Sequence, residues 1–395
     1  MQNDVFVEME CCQLNHTGEA VCGDDFLFER IESENRHLAV LSDGLGSGIK
    51  ANLLAAMTTT MALRFIRSNM EVLLSAETIM DTLPVCEVRK ISYATFTILD
   101  LQIGGKSRII EMENPPCIHL RNNHDLAIER QNLVPVRWKQ RKIQLADIHV
   151  ITGDRLLAFS DGVTQAGMGQ ADYRFGWRRE GVLAFIQEQI GANPDISARE
   201  LSCAVVHKAR SCNKNGVCID DISCMTVYLR KPRKLRLLTG PPFHSESDGI
   251  YAELVRNFDG KTIVCGGTTA KIISRELKRS IDIDIKSVGL GGGLPPPSQI
   301  WGIDLVTEGI LTLTDVIQRI EQGDALASPL PLASHKMVEF FRNSDEIEII
   351  AGTKVNEAHQ DPHLPVDLEI RRNIVKRLKT VLEDKYRKRV SVQYF

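Results

Sequence analysis

The sequence predicts an α+β protein in two parts: sheets with helices outside them over residues 1–232, then a smaller α/β domain over residues 233–395. Three observations predict it. Short apolar runs such as Leu38-Ala39-Val40-Leu41 and Leu156-Leu157-Ala158-Phe159 read as strands, and they are interleaved with longer stretches of helical period. Four aspartate clusters follow or precede such runs, in Gly23-Asp24-Asp25, Ser42-Asp43-Gly44, Ser160-Asp161-Gly162 and Asp220-Asp221. After the polar, proline-bearing junction Lys231-Pro232-Arg233-Lys234 the order changes to strand, helix, strand.

Along the first part, Val5 to Leu14 alternates as a strand, Gly23-Asp24-Asp25 turns, and Phe26-Leu27-Phe28 resumes an apolar run. Ile49 to Arg67 has no internal Gly or Pro. Its Leu53, Leu54, Met57, Met61, Leu63 and Phe65 recur at helical spacing, so a helix should leave the Asp43 turn. A second helix is expected near Ser75 to Leu83. Tyr93 to Asp100 alternates as a strand, and Gly104-Gly105 turns it into Ser107 to Met112 as a hairpin. Asn114-Pro115-Pro116-Cys117 breaks that pairing. Short strands are expected at Ile118-His119-Leu120, Val150-Ile151 and Leu156 to Phe159. A loop over Gln165 to Gly176, helices over Arg179 to Gln189 and Ser197 to Ser211, and a strand over Met225 to Leu229 complete this part.

In the second part, strands are expected at Leu235–Leu238 and Thr262–Val264, with a helix over Ile250–Arg256. Gly266-Gly267-Thr268-Thr269-Ala270 then opens a helix reaching Leu277. Gly289 to Pro297 cannot be regular structure, Leu311 to Ile320 reads as a helix, and Arg371 to Arg389 is a basic helix with an apolar stripe of Ile374, Val375, Leu378, Val381 and Leu382.

Composition sets outer limits. Hydrophobic residues make up 43% and charged residues 25% of 395, ordinary for a globular chain. A net charge of -3 gives no cationic field, so attraction to nucleic acid or anionic membranes has no compositional support and protein partners are expected. No segment reaches the roughly 18 apolar residues a membrane span needs, and the start lacks a basic region followed by an apolar stretch, so a cytoplasmic address is expected. The ten cysteines are scattered without any Cys-x-x-Cys pair, which favours reduced, buried thiols over a zinc site or a disulfide framework.

The aspartates carry the chemistry. Carboxylates gathered at one end of a sheet repel one another unless cations neutralise them, and oxygen-only ligation favours Mg²⁺ or Mn²⁺. A binuclear site is expected. Sequence does not fix which carboxylate of each pair faces the metal; Asp24 and Asp220 are the preferred members, Asp25 and Asp221 the alternates.

The order and wording of the four clusters, from about residue 8 to about residue 230, resemble the metal-dependent PPM (protein phosphatase 2C) family, specifically its bacterial SpoIIE-like serine/threonine phosphatases. The resemblance implies a sandwich of two antiparallel sheets flanked by helices, with two divalent cations, Mn²⁺ or Mg²⁺, in the cleft at one end. It places Asp24 and Asp43 between the metals as the catalytic pair, adds the Gly44 carbonyl as a ligand, and completes one shell with Asp161 and Asp220. It implies hydrolysis of phosphoserine or phosphothreonine on a signalling partner by a metal-activated water, without a covalent phosphoenzyme. It also makes the helix after Gly48 the regulatory element. One departure is plain: relatives that grip the substrate phosphate with an arginine near the first metal turn differ from this chain, whose first arginine is Arg30.

A different class of answer is a catalytically weak, phosphatase-like scaffold that senses a nucleotide or another anion. Gly266, Gly267, Thr268 and Thr269, between a strand and a helix, could bind an anion or simply form a tight turn with a Thr cap. Asp154 is expected to cap its own turn. The loop Asn356 to His363 could ligate a metal, but its prolines favour an exposed turn. A small-molecule or nucleotide ligand in the second domain and a homodimer stay open.

Overall fold

A computed structural model describes residues 5–44, 46–84, 95–283, 295–322, 332–354, 366–386 and 388–395, with backbone only for 366–369. It divides into two compact units, Met1–Lys231 and Pro232–Phe395.

The first unit begins with β1 (Phe6–Leu14), β2 (Asp25–Ile31) and β3 (Arg36–Ser42), then α1 (Gly48–Arg67) and α2 (Val72–Thr82). The strands β4 (Phe96–Gln102), β5 (Ser107–Met112), β6 (Ile118–Arg121), β7 (His124–Asp125), β8 (Gln131–Leu133), β9 (Ile143–Ile148) and β10 (Arg155–Phe159) follow. The short α3 (Asp161–Thr164), α4 (Arg178–Ala192), α5 (Ala198–Cys212) and β11 (Ile222–Arg230) close the unit. One sheet has the order β1-β11-β10-β6-β7 and the other β2-β3-β4-β5-β9-β8, and every pairing is antiparallel.

Period two explains the layers. Val7 and Met9 of β1, Leu99 and Leu101 of β4, and Met225 and Val227 of β11 fill the space between the sheets. The opposite face of the first sheet carries Leu157, Phe159 and Cys224 against Val182 and Ile186 of α4 and Leu201 and Val205 of α5. The outer face of the second sheet carries Val40 and Ile98 against Leu54, Leu63 and Ile66 of α1 and Ile79 and Met80 of α2. The result is the sandwich of antiparallel sheets with helices outside that the resemblance implied. Helix α5 is specified locally as well: Ser197 accepts from the Glu200 backbone while the Glu200 carboxylate accepts from Ser197 N, a capping box worth about 1 kcal/mol.

Several elements differ from expectation. Val150-Ile151 is not a strand; it runs into the turn closed by Asp154, which needs its backbone donors for that turn. The strand there is the preceding β9, and β7 and β8 were also missed, being too short to show a period. Helix α2 begins three residues before Ser75. Tyr93 and Ala94 lie outside the described residues. On α1, the alanines Ala51, Ala55 and Ala62 are buried while Ile49, Leu53 and Met57 stay exposed. Small side chains let this helix approach the sheet closely.

The second unit contains β12 (Lys234–Thr239), α6 (Asp248–Arg256), β13 (Lys261–Cys265), α7 (Gly267–Leu277), β14 (Ile281–Ile283), β15 (Ser298–Ile300), β16 (Leu305–Thr307), α8 (Ile310–Gln322), α9 (Leu332–Asn343), β17 (Glu346–Ala351), α10 (Val366–Tyr386) and β18 (Arg389–Tyr394). Its sheet has the order β14-β15-β16-β13-β12-β17-β18, parallel from β16 to β18 and antiparallel at the β14 edge. A parallel sheet must be covered on both faces. Tyr251, Val255, Ile273 and Leu277 of α6 and α7 cover one, and Leu313, Phe341, Leu378 and Leu382 of α8, α9 and α10 cover the other. The apolar stripe of the basic tail is thus core. The chain after it returns as strand β18 along β17, which the sequence reading did not anticipate. Residues 284–294 and the loop Asn356 to His363 lie outside the described residues.

Candidate metal centre

Four stretches of chain deliver aspartates to one end of the sandwich. Asp24 precedes β2, Asp43 follows β3, Asp161 follows β10, and Asp220 and Asp221 precede β11. Glycine makes the approach feasible. A Cβ on Gly44 would stand 2.3 Å from the Gly23 carbonyl oxygen and 2.7 Å from that of Ala51, and one on Gly162 would stand 2.1 Å from the Asp221 carbonyl. Neither position admits a side chain.

Each carboxylate has a distinct setting. Asp24, 2% exposed, accepts from the Ser223 hydroxyl at 2.6 Å and from Ser160. Its backbone carbonyl accepts from Asn52 of α1 at 3.4 Å and from Gln13 at 3.3 Å. Thr95 holds Asp43 from both sides, its hydroxyl accepting from Asp43 N at 3.0 Å and donating to Asp43 O at 2.6 Å. The Asp43 carboxyl lies beside that of Asp161, which accepts from Gln165 Nε2 at 2.6 Å. Asp220 accepts at Oδ1 from the Asp221 backbone at 2.9 Å. Asp221 accepts from His16 N at 2.9 Å, while its buried Oδ2 has no hydrogen-bond partner and stands 2.6 Å from where a Gly23 Cβ would be.

The electrostatics follow. Burial, and then the charges of Asp24, Asp161 and Asp220, hold the Asp43 carboxyl far above the usual carboxylate range. Burial also raises Asp24, against the two serine hydroxyls, with Asp221 and Asp220 adding to the rise. Asp220 is pushed up to about 6 by burial and by Asp161. Asp24, Asp43, Asp161 and Asp220 are therefore brought within each other's fields, and Asp221 joins at the Asp24 side. Asp25 is not. Its carboxylate accepts from the Thr59 hydroxyl of α1, and its raised pKa owes nothing to the other aspartates.

This donor set fits hard divalent cations: it is all oxygen, buried at Asp24 and Asp221 and half-buried elsewhere, self-repelling at neutral pH, and includes an orphaned carboxylate oxygen. The fit is one of chemistry and proximity. Among the described residues no group of three or more His, Cys, Asp or Glu side chains is arranged so that it could hold a metal ion as it stands. The charge has a measurable consequence. Carboxylates raised on folding contribute stability that is fully present below the unfolded value of about 4, and they lose it as pH rises through the folded values. Denaturant unfolding of EDTA-treated protein should therefore show lower stability at about pH 8 than at about pH 5.5, and Mn²⁺ should remove the difference. Equal stability at the two pH values without metal would refute the crowding.

Residues 33–230, half of the chain, match the model of the SpoIIE family, described as Stage II sporulation protein E. The chain belongs to the SpoIIE family. No curated protein matches. Among solved structures, the phosphatase domain of SpoIIE from Bacillus subtilis, in a crystal form without domain swapping, is 13% identical with a TM-score of 0.44, over 58% of this chain and 94% of that one. RsbX in complex with magnesium is 15% identical with a TM-score of 0.39, over 58% of this chain and 98% of that one. The PPM Ser-Thr phosphatase MsPP from Mycobacterium smegmatis, in complex with cacodylate, is 14% identical with a TM-score of 0.39, over 56% of this chain and 97% of that one.

Within this SpoIIE-family unit, sequence reasoning missed Ser223, Thr95, Asn52 and Gln165. Ser223 was within reach of it, two residues past Asp221, whereas nothing local connects Thr95 to Asp43. In the other unit, Gly266 caps α7 with a φ of 126°, its N–H bonded to the Thr307 carbonyl at 2.9 Å. No threonine side chain caps this helix, which corrects the Thr-cap reading. Gly267 and Thr268 are exposed and Thr269 is buried. Asp154 accepts from Ile151 N at 3.0 Å, in keeping with the turn-capping expectation. Among the described residues no helix is long and apolar enough to cross a membrane.

Proposed function

We propose that this chain is a metal-dependent phosphoprotein phosphatase that hydrolyses phosphoserine or phosphothreonine on a signalling partner. What carries the reading is the gathering of Asp24, Asp43, Asp161 and Asp220, from four separated stretches, into one mutually repelling group on a SpoIIE-family unit. These four side chains and the Gly44 carbonyl would hold two Mn²⁺ or Mg²⁺ ions, with Asp221 beside them. Bound there, the cations supply neutralisation of the phosphoryl oxygens and acidification of the attacking water.

The protein's own part is placement. Ser160 and Ser223 orient Asp24, Gln165 orients Asp161, and the Thr95 clamp fixes the Asp43 backbone. Asn52 ties α1 to the Asp24 turn through the carbonyls of Cys22 and Asp24, so a shift of α1 would be felt at both metal turns.

The test is release of inorganic phosphate from a phosphoserine peptide by the full chain. Release should require Mn²⁺ or Mg²⁺, stop on addition of EDTA, resume with excess metal, and be absent from Asp161→Asn. A folded protein that releases no phosphate with either ion would overturn the enzyme reading and leave a phosphatase-like scaffold.

A further inference from the structure

Cys12 of β1 and Cys203 of α5 place their sulfurs 2.6 Å apart, although 191 positions separate them in the chain. Two local patterns produce the meeting. In β1 the side chains alternate, so Cys11 packs into the space between the sheets while Cys12 turns outward to the helix layer. Along α5, Leu201, Val205 and Ala209 face the sheet, and Cys203 lies at the flank of that face, half-buried like Cys12. A third thiol is close: Cys224 stands opposite Cys12 in the β1–β11 ladder, but it is fully buried.

We propose that Cys12 and Cys203 are a modification site, a thiol pair that closes into a disulfide on meeting a low-molecular-weight disulfide such as oxidised glutathione. The Cys203 sulfur attacks one sulfur of the glutathione disulfide, releasing one glutathione thiol and leaving a mixed disulfide on Cys203. The Cys12 sulfur then attacks the Cys203 sulfur and expels the second glutathione thiol. The two protein thiols lose two protons and two electrons, which the glutathione disulfide gains. The bond would fasten β1, whose chain continues to Asp24, to α5, whose chain continues to Asp220.

The experiment exposes the reduced full-length protein to oxidised glutathione, blocks remaining thiols and maps the peptides by mass spectrometry. The expected result is a Cys12–Cys203 cross-linked peptide, an intact mass lower by two hydrogens, and full reversal by dithiothreitol. Cys203→Ser should lose the cross-link, and the map of the unmodified sequence decides the matter even where that variant folds poorly. A stable glutathione adduct without a cross-link, a Cys12–Cys224 bond, or thiols that stay unmodified would each overturn the proposal.

Discussion

An Asp43→Asn variant should lose phosphatase turnover by roughly a hundred- to a thousand-fold or more, the scale of removing one preorganised charged group from an active site. The same variant should be more stable than the parent when both are stripped of metal at about pH 8. The two effects have one cause. Asp43 lies among Asp24, Asp161 and Asp220, so its charge is what the folded state tolerates least without cations and what bound cations would need most. The amide keeps the shape and the Thr95 clamp on the backbone, and it removes only the charge. Activity is read with a phosphoserine peptide and Mn²⁺, and stability by denaturant unfolding in EDTA. A variant that lost activity and was also less stable in EDTA would make Asp43 a structural residue and sink the charge argument.

Asp154→Ala should destabilise the first unit by about 3 kcal/mol, at the lower end of the range for breaking a buried ion pair because Arg121 is partly exposed. Asp154 is 0% exposed. It accepts from Arg121 Nε at 2.8 Å through one oxygen, and from Arg121 at 2.8 Å, His119 at 3.0 Å and Ile151 N at 3.0 Å through the other. Burial alone would raise its pKa, but the bonds from Arg121, His119 and Ile151 outweigh burial and hold it at about 2. A carboxylate depressed on folding stabilises above its unfolded pKa and loses that contribution as pH falls through the folded value. The gap between parent and variant should therefore be full at neutral pH and shrink between about pH 4 and about pH 2. Thermal unfolding should show a fall of about 10 °C at neutral pH. Asp154 precedes β10 and Asp161 follows it, so activity per folded molecule should survive. A shift under about 2 °C, or a gap that does not close in acid, would show that the ion pair contributes little.

Much of the first unit was legible because its signals are local. Apolar alternation located β1, β4, β5 and β11, unbroken helical spacing located α1, and the amphipathic stretch Ser197 to Ser211 located α5. Strands of two or three residues, β7 and β8, carry too few side chains to show a period. Strand β18 follows a long helix and pairs in parallel with a strand more than forty residues earlier, a long-range choice that no local pattern encodes.

The order of the aspartates, their glycine neighbours and their position at strand ends were fixed by the chain itself, since turns and strand periods depend on neighbouring residues. Which aspartates meet was settled only in three dimensions. The pairing of Asp25 with Ser42 across β2 and β3, and the Thr59 hydroxyl on α1, draw Asp25 away, while Asp24 reaches Ser223 across the sandwich. Asp220 and Asp221 both stay near the cluster, Asp220 beside Asp161 and Asp221 beside Asp24. Burial and charge are sums over neighbours distant in sequence, and those neighbours exist only once the sheets have packed.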